Sequence, residues 1–318
     1  MPYYLSKKVS ANRNLDQLVP LLQAKNVPYS DLYTEFKNKS EILYLKRDSH
    51  WNNKGAVLAY NRILTDLGKA HENFEIVPSL REKTYYGDLS LMLYPKFAEP
   101  EFNISYQNQQ TWRYTEGSEV TDYSISTEND QGEGVLLMYR DSFGNTLLPL
   151  MADTYKTAHF ENSRPYFIGS DVLQYKPDTI IIERVERNIR EFVNYPPILT
   201  VELAGLAIAD APDDSKAGIS IRENEDDYEY FTISGKIDAS CLENDSDILL
   251  SVDDGEIRTA YEAYGIGQNK YAAYIRSENL QADEVTVTVA VRNQNGQITP
   301  VSTKKLNIGE FREEGEEK

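Results

Sequence analysis

The chain has 318 residues, 40% of them hydrophobic and 26% charged, which is material for about two domains with their own cores. Its formal net charge of −18 argues against nucleic acid or an anionic lipid surface as partner, because both require basic patches. The one cysteine, Cys241, excludes an intrachain disulfide and any multi-cysteine metal site, and no run of about 18 apolar residues offers a membrane-crossing helix.

The start, residues 1–8 (MPYYLSKK), lacks the apolar stretch of a signal peptide. The chain is therefore expected either to remain inside the cell or to be the trimmed form of an exported protein. Residues 14–24 (NLDQLVPLLQA) carry apolar positions at helical spacing, with Pro20 expected to kink or shift the helix. Residues 42–45 read as a short strand running into Asp48. Asn52 and Asn53 are N-cap candidates for a helix over 54–67, with Ala56, Leu58, Ala59, Ile63 and Leu67 facing inward and Gly68 as its stop. Residues 135–138 (VLLM) predict a buried strand, followed by a turn and a helix over 145–152. Strands over 156–160 and 179–182 follow. Strand and helix in alternation predict an α/β domain with a parallel sheet covered on both faces, with chemistry at the C-terminal ends of the strands.

From about Pro196 to Gly309 the pattern changes. Strand-like runs recur at 199–208, 228–237, 247–252, 257–264, 270–276, 284–292 and 298–308, with Asn295-Gly296 as a hairpin turn. Seven short strands in about 110 residues predict a β-sandwich. The expected organisation is a first domain over 1–195, a β-sandwich over 196–309 and a disordered, charge-rich tail over 310–318. The acidic clusters at 210–214, 223–227 and 253–256 suit either solvated turns or calcium. The 23 tyrosines suit either strand positions or a sugar-lining surface, and Trp51 and Trp112 suit either core packing or a sugar platform.

Two segments carry candidate chemistry. Asp48-Ser49-His50 puts a carboxylate and an imidazole two residues apart, and Asp141-Ser142 follows directly on the apolar run 135–138. A serine hydroxyl attacks an acyl group only when a base takes its proton and donors hold the developing oxyanion. A strand-to-helix turn supplies such donors as backbone N–H groups. Each segment alone also reads as a helix cap or a loop. Of the other histidines, His71 reads as a surface residue and His159 as structural. No metal-ligand spacing such as H-E-x-x-H is present, so neither a metal nor a cofactor is expected.

Residues 43–56 (LYLKRDSHWNNKGA) resemble the Asp-x-His-Trp segment of the DHHW and alginate O-acetyltransferase-like family within the SGNH hydrolase superfamily. In that group the Asp-x-His block precedes the serine block, as it does here. Gly87-Asp88-Leu89 resembles a further family element, residues 139–144 (YRDSFG) the serine block and residues 177–187 (PDTIIIERVER) the strand after it, so the resemblance spans roughly 1–195. It implies a three-layer α/β SGNH-like fold, Ser142 as nucleophile, His50 as general base and acid, and Asp48 as its orienting carboxylate. It further implies an O-acetyltransferase or acetylesterase of a cell-surface or extracellular polysaccharide, supplied by an acyl donor such as a membrane acetyl-transfer protein. The other reading is a catalytically silent carbohydrate-binding or scaffold protein on the same fold. Two positions depart from the superfamily. Arg140 replaces its usual glycine and is expected to reach either a substrate or an acidic neighbour. Residues 183–188 (ERVERN) lack its oxyanion asparagine, leaving Arg184, Arg187, Asn188 or the Ser142 backbone N–H as donors.

Overall fold

The computed structural model of the protein describes residues 13–107, 110–194, 197, 201–211, 216–224, 230–243, 245–255, 257–265, 269–280, 282–309 and 311. Pro196, the start at 1–8, nearly all of the tail at 310–318 and parts of all three acidic clusters lie outside these residues. The described chain divides into two compact units. One comprises residues up to Pro165 with Val172–Glu191, and the other Tyr166–Asp171 with the residues from Phe192 onward.

The first part of the chain runs α1 (Asn14–Ala24), α2 (Leu32–Lys37), α3 (Asn53–Asp66), β1 (Ser79–Tyr85), α4 (Asp88–Leu93), β2 (Glu101–Tyr106), β3 (Trp112–Glu116), β4 (Ser124–Asn129), β5 (Val135–Tyr139), α5 (Leu148–Thr154), β6 (Thr157–Glu161), α6 (Ile168–Tyr175), β7 (Thr179–Ile182) and α7 (Glu191–Asn194). The main sheet has the order β3-β4-β6-β5-β7. β5 pairs in parallel with both β6 and β7, whereas β4 pairs antiparallel with β6 and β3 antiparallel with β4. The expected parallel sheet is thus a mixed one, a parallel trio extended by an antiparallel pair. The strands 112–116 and 124–129 are largely polar and carry too weak a pattern to be read from sequence.

β5 explains its own composition. It is flanked by strands on both sides and covered on both faces, so Leu136, Leu137 and Met138 are fully buried, as a central parallel strand requires. Leu136, Met138, Ala158 and Phe160 face one core with Ala56, Ala59, Tyr60 and Ile63 of α3 and Met151 of α5. On the opposite face His159 of β6 stacks on Tyr175 of α6, ring centroids 3.9 Å apart. Helices therefore lie on both faces, and the arrangement is three-layered α/β.

Local chemistry fixes several ends. The Asn52 side chain accepts from Gly55 N and caps α3, whose inward face is as expected except for Leu67, exposed beyond the last turn. α1 continues through Pro20 to Ala24. The strand expected at 42–45 is a loop, with a single isolated β-bridge between Tyr44 and Trp51. The helix expected over 145–152 begins as a 3₁₀ turn at Ser142–Thr146 before α5.

The second part holds β8 (Ser220–Glu223), β9 (Tyr230–Lys236), β10 (Asp247–Asp253), β11 (Arg258–Gly265), β12 (Lys270–Arg276), β13 (Glu284–Arg292) and β14 (Ile298–Asn307). They form an all-antiparallel sheet in the order β14-β13-β10-β11-β12-β9-β8. β11 and β12 share only the pairs Tyr264↔Ala272 and Gly265↔Tyr271, which makes a corner about which the sheet curls on one core. Ile248, Leu250 and Val252, and Val285, Val287, Val289 and Val291, point into that core at the period of two that a one-sided sheet demands. The result is sandwich-like, with seven strands as expected but not the same seven. Of the described residues 201–208, only Glu202 bridges, to Tyr261, and β8 takes its place. Asn293–Gln297 closes the β13–β14 hairpin, Gly296 N donating to Asn293 O at 2.9 Å. Of the acidic clusters, Asp210 and Asp253 both pair with Arg258.

Candidate active site

The first half of the site is a tight loop. Leu45 N donates to His50 O and Asn52 N to Leu43 O, which puts Asp48, Ser49 and His50 at its tip. Asp48 Oδ1 accepts from His50 N at 2.8 Å, an Asx-type turn that the residue type favours. The same oxygen lies 2.6 Å from His50 Nδ1. Asp48 Oδ2 accepts from Asp88 N at 2.8 Å and from the Tyr85 hydroxyl at 3.3 Å. The Asp48 side chain is therefore buried with its oxygens occupied, at 1% exposure, while His50 keeps 20%.

The second half begins where β5 ends. Asp141 caps the 3₁₀ turn, its Oδ1 accepting from Phe143 N at 3.0 Å. Its Oδ2 accepts from Val185 N at 2.9 Å and Asn188 Nδ2 at 3.2 Å, tying the turn to the chain after β7. Asp141 N in turn donates to Glu183 Oε2 at 3.0 Å. Gly144 is required here by close approach, because a Cβ would stand 2.5 Å from Arg140 Cβ. Ser142 is left exposed at the head of the turn. Its backbone N–H has no acceptor among the described residues.

The two halves meet. His50 Nε2 lies 2.8 Å from Ser142 Oγ. With Nδ1 donating to Asp48, Nε2 is the acceptor for the serine hydroxyl. Trp51 bridges the halves, its Nε1 donating to Thr146 Oγ1 at 2.6 Å and its ring standing edge-on to Phe143 at 5.3 Å. Phe143 also packs against His50, ring centroids 4.8 Å apart.

The other candidate residues fall into place around this core. Arg140 is fully buried, so its guanidinium faces protein and not a substrate; it bonds Asn145 Oδ1 and the Asp122 carbonyl. Burial pulls its basicity down, and the charges of Glu183 and Glu161 oppose that pull. Trp51 and Trp112 are buried core residues, not open platforms. Arg184 Nη1 donates to Arg140 O at 3.0 Å, and Asn188 Nδ2 donates to Asp141, so both tie turns around the site. Arg187 is exposed, its guanidinium carbon 5.7 Å from the Phe143 ring centre. His71 Nδ1 donates to the Lys69 carbonyl, and His159 Nδ1 shares a hydrogen bond with Ser126 Oγ, each elsewhere in the unit.

Three contributors escaped the sequence reading: Tyr85, Phe143 and Glu183. Only Glu183 left a signal, as a polar residue directly after the apolar strand 179–182. Desolvation, reinforced by Asp141, pushes its carboxyl up to about 8, against the pull of the Asp141 amide, Arg184 and Arg140. Asp48, His50 and Asp88 each bring a donor atom within 4.8 Å of the others, a spacing a cation could bridge, but the Asp48 oxygens are already engaged by hydrogen-bond donors.

Residues 2–120 match the family model of the SGNH hydrolase-like domain of the acetyltransferase AlgX. The first unit has an SGNH-like α/β fold. The resemblance read from residues 43–56 and 87–89 is thereby borne out; the matched stretch holds both segments and ends before Ser142. Among solved structures the chain is similar to a DHHW family protein from Eubacterium siraeum, at 12% identity and TM-score 0.40, covering 48% of this chain and 63% of that one. It is similar to Bacillus cereus PatB1 with a sulfonyl adduct, at 16% identity and TM-score 0.40, over 49% of this chain and 66% of that one. Pseudomonas aeruginosa AlgX aligns at 10% identity and TM-score 0.31, over 91% of this chain and 72% of that one. The chain thus spans just under two thirds of the DHHW protein and of PatB1. No curated protein matches it. No described helix is long and apolar enough to cross a membrane.

Proposed function

We propose that the protein is a serine-dependent O-acetyltransferase or acetylesterase acting on a cell-surface or extracellular polysaccharide. The observation that carries this reading is the hydrogen-bonded line Asp48 Oδ1–His50 Nδ1 at 2.6 Å and His50 Nε2–Ser142 Oγ at 2.8 Å, with Ser142 exposed. The acetyltransferase family matched by residues 2–120 supports the reaction class.

In this mechanism Ser142 Oγ attacks the carbonyl carbon of an acetyl ester while His50 Nε2 takes its proton. Asp48 holds the imidazole in the tautomer that accepts at Nε2 and offsets the charge it gains. The Ser142 N–H, at the head of the 3₁₀ turn, faces the developing oxyanion. His50 returns the proton to the departing alcohol. A sugar hydroxyl or water, deprotonated by His50, then attacks the acyl-serine and releases the enzyme, and only that acceptor separates transfer from hydrolysis. The acyl donor is an ester such as one delivered by a membrane acetyl-transfer protein, and the sandwich-like region, with its boundary near 195, serves as a carbohydrate-binding or Ig-like module.

A fluorophosphonate probe tests the nucleophile. Wild type is expected to label, and Ser142→Ala to lose the label. His50→Ala should slow labelling by roughly 10⁴-fold, as loss of a triad base does. A folded wild type that does not label, yet binds polysaccharide, would replace this reading with that of a silent binding protein.

A further inference from the structure

Gly87-Asp88 sits directly beneath the acid–imidazole loop. Gly87 is there because nothing larger fits: a Cβ would stand 2.2 Å from the Arg47 carbonyl oxygen and 3.1 Å from Asp48 Cβ. That approach lets Asp88 touch the loop at four points. Its amide donates to Asp48 Oδ2 at 2.8 Å. Its Oδ1 accepts from Ser49 N at 2.8 Å, and its Oδ2 from the Ser49 hydroxyl at 2.5 Å. The same Oδ2 lies 3.6 Å from His50 Nδ1. Burial works to raise the Asp88 carboxyl, but the Ser49 hydroxyl and amide, the Leu89 amide and His50 together hold it below the ordinary carboxylate range.

We propose that Asp88 is a positioning residue: it clamps Ser49, fixes Asp48 through its own amide, and sets a second negative charge beside the His50 ring. The inference extends the acyl-transfer reading above and rests on it for its catalytic consequence. Asp48 alone already fixes the tautomer. What Asp88 adds is rigidity in the two-residue turn and further stabilisation of the imidazolium formed when Ser142 gives up its proton. The charged and titratable groups facing His50 are Asp48 on its own loop, Asp88 at the start of α4, Tyr85 at the end of β1 acting through Asp48, and Ser142 on the 3₁₀ turn. Arg187 stands behind Phe143.

The sign follows. A nearby negative charge favours the protonated imidazole, so removing it moves the titration of His50 to lower pH. Asp88→Asn keeps the shape and an acceptor for Ser49 but removes the charge. With only three histidines in the chain, ring resonances can be assigned by comparison with His71 and His159 variants. Asp88→Asn is expected to move the His50 ring titration to lower pH, measured by NMR on the full chain. The fluorophosphonate labelling rate should fall by roughly ten- to a hundred-fold, a part of what general-base catalysis supplies, and its acid limb should move to lower pH. Asp88→Glu should recover part of the midpoint. An unchanged midpoint in a folded Asp88→Asn protein overturns the proposal, whatever the labelling rate. A shifted midpoint in a protein whose wild type never labels upholds the Asp88–His50 coupling and removes only the acyl-transfer reading.

Discussion

At the scale of single residues, the site rests on how a few carboxylates are occupied. Asp48 and Asp141 each accept from several donors, one holding His50 and the other the Ser142 turn. Glu183 is the opposite case. Its folded-state value of about 8 stands above the ordinary carboxyl value of 4.5, so the folded protein binds a proton there that the unfolded chain releases. The stability it contributes is full below about 4.5 and is lost as pH rises through about 8. Thermal unfolding followed from about pH 6 to about pH 9 should show a declining Tm, and Glu183→Gln, which keeps an acceptor for the Asp141 amide, should flatten that decline. Equal slopes in the two proteins would contradict the assignment. At the far end of the line, Asp48→Asn is expected to preserve the fold and cost about 10⁴-fold in probe labelling, because an amide can present the wrong group to Nδ1.

At the scale of elements, close packing does the positioning. The 3₁₀ turn fits between β5 and the chain after β7 only because residue 144 has no side chain. Gly144→Ala should cost about 1–3 kcal/mol, as overpacking does, read as a lowered midpoint in urea, and it should cut labelling at Ser142 by displacing the turn. The elements legible in the sequence were those with strong patterns: the buried run of β5, the TIII of β7, the Asn-capped α3 and the alternating strands from β9 to β14. The polar strands β1 to β4 were invisible. β1 is exposed along its whole length, so no burial pattern marks it. The strand expected at 42–45 is apolar in composition, but it forms only a single isolated β-bridge, and its side chains serve the loop that carries His50. The site itself was legible as two short segments in the right order. Their meeting depends on long-range contacts, Trp51 to Thr146 and His50 to Ser142, which no local pattern encodes.

At the scale of the whole molecule, charge and exposed apolar surface work against each other. A net charge of −18 repels itself in the folded state. Raising sodium chloride from about 10 mM to about 200 mM shortens the screening length, and Tm should rise; a flat response would mean that local ion pairs already cancel the repulsion. The segment from β1 to β2 adds a different liability: Met92, Leu93 and Phe97 are 78%, 70% and 83% exposed.

The central place of β5 has a consequence for how the site comes apart. Its amides are bonded to strands on both sides and shielded on both faces, so in hydrogen exchange those of residues 136–139 should open only with the unit as a whole. Ser142 hangs from this slowest-opening stretch. His50 hangs from a loop outside any strand, held by one bridge, the Ser90 N–Arg47 O bond and side-chain bonds. Gentle heating should therefore silence the serine by releasing its base, well before the strand that carries the serine exchanges a single deuteron.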